Sequence, residues 1–276
     1  MQNEVKKILT VQDLSCLGQC SLTVAHPILS AFGLETCVLP TAILSEHTMF
    51  QNFTFLDLAQ NMVDTLDSWQ KDGHRFSAIY TGYLGKIEHF AIVERAVQEL
   101  SEKGAPLIVD PVFGDNGKLY PLFNTEYVDS VRKFIKNADV VLPNITEACF
   151  LTGKAFQPVC DRAEAQALIE ELIKLGNFHI VLTGVEEDGK IGFACYNAKN
   201  KQTEFYFAKR EPQNYHGTGD IFASVFTGLY LKNGDLMQSS AVAATFVAEA
   251  IRSTDAGHAY GVQFEKILAR YAQEYK

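Results

Sequence analysis

Residues 76–112 read FSAIYTGYLGKIEHFAIVERAVQELSEKGAPLIVDPV. The apolar run from Phe76 to Thr81 predicts a strand, broken by the turn Gly82-Tyr83-Leu84-Gly85. Ile87 to Lys103 has helical spacing and is closed by Gly104, and Pro106 to Val112 predicts a second apolar strand. Strand, helix and strand in this order form the crossover unit that parallel strands require. The alternation continues outward. Upstream, Ile8 to Gln12 reads as a strand, Ser21 to Ala31 as a helix, Thr36 to Leu44 as extended chain and Phe55 to Gln70 as a helix. Downstream, Glu126 to Ile135 reads as a helix, Asp139 to Leu142 as a strand, Ala163 to Leu175 as a helix and Phe178 to Thr183 as a strand. Repeated units of this kind predict an α/β fold with a mostly parallel central sheet and helices on both faces.

The pattern then changes. Lys190 to Tyr196 and Thr203 to Lys209 predict an antiparallel pair joined by Asn197-Ala198-Lys199-Asn200. Three helices follow, over Asp220 to Lys232, Leu236 to Arg252 and Gln263 to Glu274. No stretch rich in Pro, Gly or Ser divides the chain, so residues 1–276 are expected to form a single domain.

A formal charge of −9 argues against nucleic acid as a partner, because phosphate backbones are met by basic patches. Met1 to Lys7 is polar and leads directly into a strand, which is not the pattern of a signal peptide. The nearly apolar run Ala241 to Ala248 is too short to span a bilayer. The expectation is a cytoplasmic protein with no membrane partner. Cysteines stand at 16, 20, 37, 149, 160 and 195 without a Cys-x-x-Cys spacing, so reduced and mostly buried thiols are expected.

Ligands in parallel sheets bind beyond the carboxyl ends of the strands. The turns at those ends carry Asp13, Thr81-Gly82-Tyr83, Asp110-Pro111, Asp115, Asn144, Glu147 and Thr183-Gly184. A further stretch, His216-Gly217-Thr218-Gly219-Asp220, precedes a long run of small and apolar residues. A glycine turn lets the backbone approach a ligand, and the first amides of a helix have no internal partner. Together they make an anion cradle. A carboxylate inside such a cradle is unfavourable unless it accepts a proton from an attacking hydroxyl; the alternative is that Asp220 simply caps the helix. Other phosphate and nucleophile motifs are missing. Gly85-Lys86, Gly117-Lys118, Gly153-Lys154 and Gly189-Lys190 are never followed by Ser or Thr, which excludes a Walker A loop. Phe222 replaces the third glycine of a dinucleotide fingerprint, and neither Gly-x-Ser-x-Gly nor His-Glu-x-x-His occurs. Carboxylates, an amide, a threonine and an anion cradle instead fit phosphoryl transfer, with magnesium as the hard cation.

In this order, Val109 to Asp115, Pro143-Asn144-Ile145-Thr146-Glu147, Val181 to Gly184 and Gly217 to Asp220 resemble the ribokinase superfamily of small-molecule kinases. The resemblance runs over essentially the whole chain. Ser45-Glu46-His47-Thr48, Thr81 to Gly85 and Leu119-Tyr120-Pro121 point to its vitamin B6 branch, the pyridoxal/pyridoxine/pyridoxamine kinases. The resemblance implies a ribokinase-like three-layer fold and ATP-dependent phosphorylation of a B6 vitamer at its 5'-hydroxymethyl group. It implies Asp220 as the catalytic aspartate and Gly217, Thr218 and Gly219 as the anion hole. Asn144 and Glu147 would position magnesium and phosphate, Asp110 and Asp115 would lie by metal and phosphates, and Thr183 would contact the nucleotide. Thr48 and Tyr83 would line the pyridine pocket, with Tyr120 on a flap above. ATP, Mg2+ and a monovalent cation such as K+ are the implied cofactors, and a homodimer the implied assembly.

Two positions depart from the pattern. Asp13 stands where B6 kinases carry Ser beside the pyridine ring, which opens the question of the preferred vitamer. Leu142 stands where some relatives carry Thr. Three other readings compete. Hydroxymethylpyrimidine kinases of thiamine synthesis often carry Cys in place of the aspartate. Sugar and nucleoside kinases usually carry a larger lid. A non-catalytic vitamer-binding protein would have no need of a base at position 220.

Overall fold

The computed structural model describes residues 5–213 and 215–275. Eleven strands and nine α-helices are found among them. β1 (Lys7–Ser15), β4 (Ala78–Thr81), β5 (Leu107–Val109) and β8 (Val140–Val141) form the parallel centre of the main sheet. β2 (Glu35–Leu44) joins β1 in parallel on one side, and β9 (His179–Glu187) joins β8 in parallel on the other. The edges run antiparallel: β3 (Phe55–Asp57) against β2, and β10 (Lys190–Asn197) with β11 (Gln202–Lys209) beyond β9. The order is therefore β11-β10-β9-β8-β5-β4-β1-β2-β3. β6 (Gly114–Asp115) and β7 (Lys118–Leu119) form a separate small hairpin.

The strands are apolar on both faces because helices cover both. Leu9, Val11, Ile79, Leu107, Val109, Val141 and Leu182 face one core. That core is closed by α2 (Ala59–Lys71), α3 (Glu88–Leu100), α4 (Thr125–Phe134), α5 (Ile145–Thr152) and α6 (Arg162–Leu172). Ile8, Ala78, Tyr80, Ile108, Val140 and Val181 face the other. There the cover is α1 (Leu22–Ala31), α7 (Thr218–Asn233), α8 (Leu236–Ser253) and α9 (Glu265–Glu274). Adjacent strand residues thus divide between the two cores, as a period of two requires.

The expected architecture is found, with local differences. Phe55 to Asp57 is an edge strand rather than the start of a helix, which begins only at Ala59. Its three residues pair with Ala42, Ile43 and Leu44, a contact from another part of the chain that local spacing does not contain. The β5 strand ends at Val109, three residues before the expected Val112, because Asp110 to Phe113 turn away into the site.

α7 occupies the centre of its layer and buries residues around its whole circumference, from Ile221 to Leu231. Phe226 is fully buried there and stacks on Tyr230 with ring centroids 5.3 Å apart. Phe226→Ala should destabilise the protein by about 3–5 kcal/mol, read from urea unfolding at constant m-value.

Candidate active site

The turn after β1 and the turn before α7 touch. Gly217 has φ 82, and a Cβ placed on it would lie 2.0 Å from the carbonyl oxygen of Gln19. Any side chain would push the two turns apart, so glycine here serves both the left-handed backbone and the close approach. Gly219 differs: a Cβ there would meet nothing within 4 Å, so the space above the start of α7 is open. Gly217, Thr218 and Gly219 therefore form a helix N-terminus facing open space, the arrangement an anion can use.

Asp220 lies in the first turn of α7 and is half-buried. Desolvation holds its carboxyl at about 7, far above the ordinary carboxylate range; the Asp13 carboxylate pushes the same way, and the Ser21 amide opposes both. Asp13, buried near the end of β1, is also raised, chiefly by burial, while the hydroxyls of Ser21 and Ser15 pull it down. Ser15 Oγ donates to Asp13 Oδ2 at 2.9 Å. Ser21 thus serves both carboxyls, one through its side chain and one through its backbone. Its φ of 48 lies in the left-handed region, an outlier for a residue with a Cβ. Tyr83 is buried near Asp13, and desolvation with that carboxylate raises its phenol. The Cys20 thiol is likewise raised by burial and by Asp220 and Asp13, which keeps it neutral.

A second group of acids lies beside Asp220: Asp110 just after β5 and Glu147 in the first turn of α5. Burial pushes Asp110 well above the usual range, with the Glu147 and Asp220 carboxylates adding to it. Glu147 is raised too, first by burial, although backbone amides oppose the shift. Its two oxygens are committed to the backbone: Phe113 N donates to Oε1 at 2.9 Å and Asn144 N to Oε2 at 3.0 Å. Asn144 completes a capping box by accepting from Glu147 N at 2.9 Å, and its Nδ2 donates to the Gly114 carbonyl at 2.8 Å. These bonds tie the start of α5 to the loop after β5. Val112, inside that loop, has φ 42, a strained conformation for a β-branched residue, and its amide pulls the Asp110 carboxyl down against the effect of burial.

The hairpin formed by β6 and β7 turns at Asn116-Gly117, which both have positive φ. Thr146 Oγ1 accepts from Gly117 N at 3.0 Å and so holds this hairpin to α5. Asp115 on it is exposed and accepts from the Asn116 amide and side chain, each at 2.8 Å. Tyr120 follows, and its phenol is raised by burial and by Glu147, Asp115, Asp220 and Asp110. On the opposite side, Thr183 N donates to the Pro143 carbonyl at 3.0 Å and bridges Asn144.

Asp13, Tyr83, Asp110, Glu147, Tyr120 and Asp220 are therefore gathered at the carboxyl end of the parallel strands, with Asn144 and Thr183 as neighbours on one rim. Thr48 lies half-buried in the loop after β2, and among the described residues no hydrogen bond joins its side chain to this group. Asp110, Asp115 and Glu147 do not converge closely enough to form a preformed three-ligand cage among the described residues. His47 and His216 lie with ring centroids 4.6 Å apart; burial and His47 push His216 down to about 4, so it is neutral. A groove of about 750 Å³ between α6 and the β9–β10 turn is rimmed by Asp161, Glu186, Glu187 and Asp188, which disfavours phosphate there.

Sequence reading missed three contributors. Ser21 looks like an ordinary helix start, yet its side chain makes no cap bond and serves Asp13 instead. Tyr80 is fully buried beneath Asp110 and Asp220, which both raise its phenol after burial itself. Val112 carries no sequence signal for its backbone.

Four similarities accompany this geometry. The profile of the family described as phosphomethylpyrimidine kinase matches residues 28–263. A solved protein of Bacteroides thetaiotaomicron VPI-5482, provisionally called a phosphomethylpyrimidine kinase and crystallised with pyridoxal, is 36% identical with a TM-score of 0.91, over 98% of this chain and 96% of its own. Pyridoxal kinase from Lactobacillus plantarum is 29% identical with a TM-score of 0.88, over 99% of this chain and 100% of its own. Hydroxymethylpyrimidine/phosphomethylpyrimidine kinase of Bacillus subtilis (strain 168) is 28% identical over 82% of this chain and 80% of its own. The fold is thus the ribokinase-like one that the motifs implied.

The raised carboxyl of Asp220 has a consequence for stability. A carboxyl near 7 in the folded chain holds its proton more tightly than in the unfolded chain, where about 4 is usual. Its contribution is complete below the unfolded value and is lost as pH rises through the folded one. Asp13 and Asp110 act in the same sense. The ligand-free protein should therefore lose stability between pH 5 and pH 8, and Asp220→Asn should flatten that fall. Urea midpoints at the two pH values measure it.

Proposed function

The chain belongs to the phosphomethylpyrimidine kinase family, and from that membership we propose that it is an ATP-dependent kinase whose acceptor is the 5'-hydroxymethyl group of a vitamin B6 vitamer. The observation that carries the reading is the placement of Asp220. It is a carboxyl held near 7 at the start of α7, beside Asp13 and Tyr83, with open space over Gly219. A base poised close to neutral pH is what abstraction of an alcohol proton requires. The pyridoxal bound to the Bacteroides thetaiotaomicron relative supports a pyridine as the ligand.

In the proposed reaction the vitamer lies near Asp13, Thr48 and Tyr83. Asp220 takes the hydroxyl proton as the oxygen attacks the γ-phosphorus of ATP, and the bond to the ADP oxygen breaks. The amides of Gly217, Thr218 and Gly219 stabilise charge on the transferred group. Asn144 and Thr183 position the nucleotide phosphates, Asp115 lies beside them, and Tyr120 covers them. Asp110 and Glu147 are the residues that would hold Mg2+. The donor set fits a hard cation, since buried oxygens facing one another lack positive charge. Such a cation supplies neutralisation of the triphosphate. K+ is a further candidate cofactor, supported by the family resemblance alone. The same resemblance supports a homodimer. A cytoplasmic setting accords with six free cysteines, and no described helix is long and apolar enough to cross a membrane.

Hydroxymethylpyrimidine is the second candidate acceptor, favoured by the family description and by the Bacillus subtilis relative. A panel of pyridoxal, pyridoxine, pyridoxamine and hydroxymethylpyrimidine, followed by ADP release with magnesium and with a chelator, separates the two. The expected result is magnesium-dependent turnover of at least one vitamer at higher kcat/KM than the pyrimidine; the reverse order would overturn the B6 assignment. Asp220→Asn should lower turnover by roughly a hundredfold or more with ATP binding retained.

Asp13 bears on selectivity. Loss of a charge-assisted hydrogen bond to a cationic part of the vitamer costs about 1.5–3 kcal/mol, roughly ten- to a hundredfold in affinity. Asp13→Ser should raise the vitamer KM by that factor, unequally among vitamers, and leave the ATP KM unchanged. Steady-state kinetics with each vitamer measure it, and a small equal effect on all three would make Asp13 structural.

A further inference from the structure

Asp57, Glu88 and His89 are the one group of three metal-capable side chains that converges among the described residues. Their surroundings argue against a metal. Lys86 Nζ already lies 3.0 Å from Asp57 Oδ2 and 3.5 Å from Glu88 Oε1, so the cation of the cluster is a lysine. Both nitrogens of His89 are also in use. Nε2 is 3.0 Å from Asp57 Oδ1, and Nδ1 meets the Leu84 carbonyl oxygen. His89 is fully buried, so its contact with Leu84 is shielded from water, while the Asp57 end of the bridge is partly exposed.

The segment held in this way is the turn after β4. Leu84, whose carbonyl His89 grips, follows Tyr83 directly. Gly85 comes next with φ 61, and a Cβ on it would lie 3.2 Å from Tyr83 Cε1 and 3.8 Å from His89 Cε1. The Tyr83 ring therefore packs over this glycine with the imidazole close by. The Tyr83 carbonyl accepts from Thr41 Oγ1 at 3.1 Å, and the ring leans on Phe123 at 5.3 Å between centroids. Asp57 belongs to the edge strand β3 and His89 to the first turn of α3. The imidazole thus joins three separate elements at one side chain.

We propose that His89 is a positioning residue for the vitamer pocket, bridging the Leu84 carbonyl and the Asp57 carboxylate so that the turn carrying Tyr83 keeps its place. This inference rests on the reading of Tyr83 as a wall of that pocket. His89 touches no reacting atom. Its effect belongs to vitamer affinity, while ATP affinity and the chemical step depend on elements across the crevice.

Three variants test it. His89→Phe fills the space without either hydrogen bond. His89→Asn places an amide nitrogen where Nδ1 stood and can still donate to the Leu84 carbonyl. Asp57→Asn weakens the far end of the bridge. His89→Phe should raise the vitamer KM by about tenfold, as expected when the buried bond to Leu84 is lost together with the partly exposed one to Asp57, with kcat and the ATP KM within about twofold of the wild type. His89→Asn should recover most of that loss, and Asp57→Asn should fall between. An unchanged vitamer KM in His89→Phe overturns the proposal, as does a parallel rise of both KM values. Amide hydrogen exchange over residues 82–87 of the ligand-free protein gives a readout independent of activity. It should quicken in His89→Phe and return towards wild type in His89→Asn; equal exchange in all three proteins also overturns the proposal. If the wild type turns over no vitamer, the functional reading fails, while the exchange measurement still decides whether His89 holds the turn.

Discussion

Carboxyl groups gathered at one end of a sheet repel one another, and the loops around this site are organised by that repulsion. Asp13, Asp110 and Asp220 are each held above the ordinary range, and each has at least one backbone or side-chain donor aimed at it. Glu147 uses both oxygens on amides of two different loops. The bonds that moderate the charge are the same bonds that fix the loops. The close approach of Gly217 to Gln19 completes the arrangement by bringing the first strand's turn to the last region's helix.

The division of the strands between two cores makes this possible. Apolar residues on both faces commit the sheet to the interior, so its strand ends are the places where backbone and polar side chains can meet a ligand. α7 adds a helix start at the same level, buried on every side below its first turn. Rigid packing beneath and open space above Gly219 leave the first amides of α7 fixed in position beside that space.

Much of this was legible in the sequence. Alternating apolar strands and helices gave the layer order, and the acids at the strand ends marked the crevice. What escaped was made by contacts between distant segments. Phe55 to Asp57 has too few residues to show a period, and only its pairing with Ala42 to Leu44 makes it a strand. Ser21 owes its role to the meeting of two turns, and Tyr80 to its position near Asp110 after β5 and Asp220 on α7. The Asn116-Gly117 pair carried a legible hairpin signal, but the flanking strands of two residues each were too short to be read with it.

Val112 shows how far the most stable sequence and the present one can differ. A valine in left-handed backbone costs on the order of 1–3 kcal/mol, and glycine or asparagine would sit there with less strain. Yet the valine side chain packs against the core under the sheet while its amide is aimed at Asp110. A redesign that scored each position by backbone comfort would replace it, and would exchange a loop held in one shape for a more pliable one. The strain at this position makes it a poor choice for thermostabilising substitution, however favourable such a change looks residue by residue.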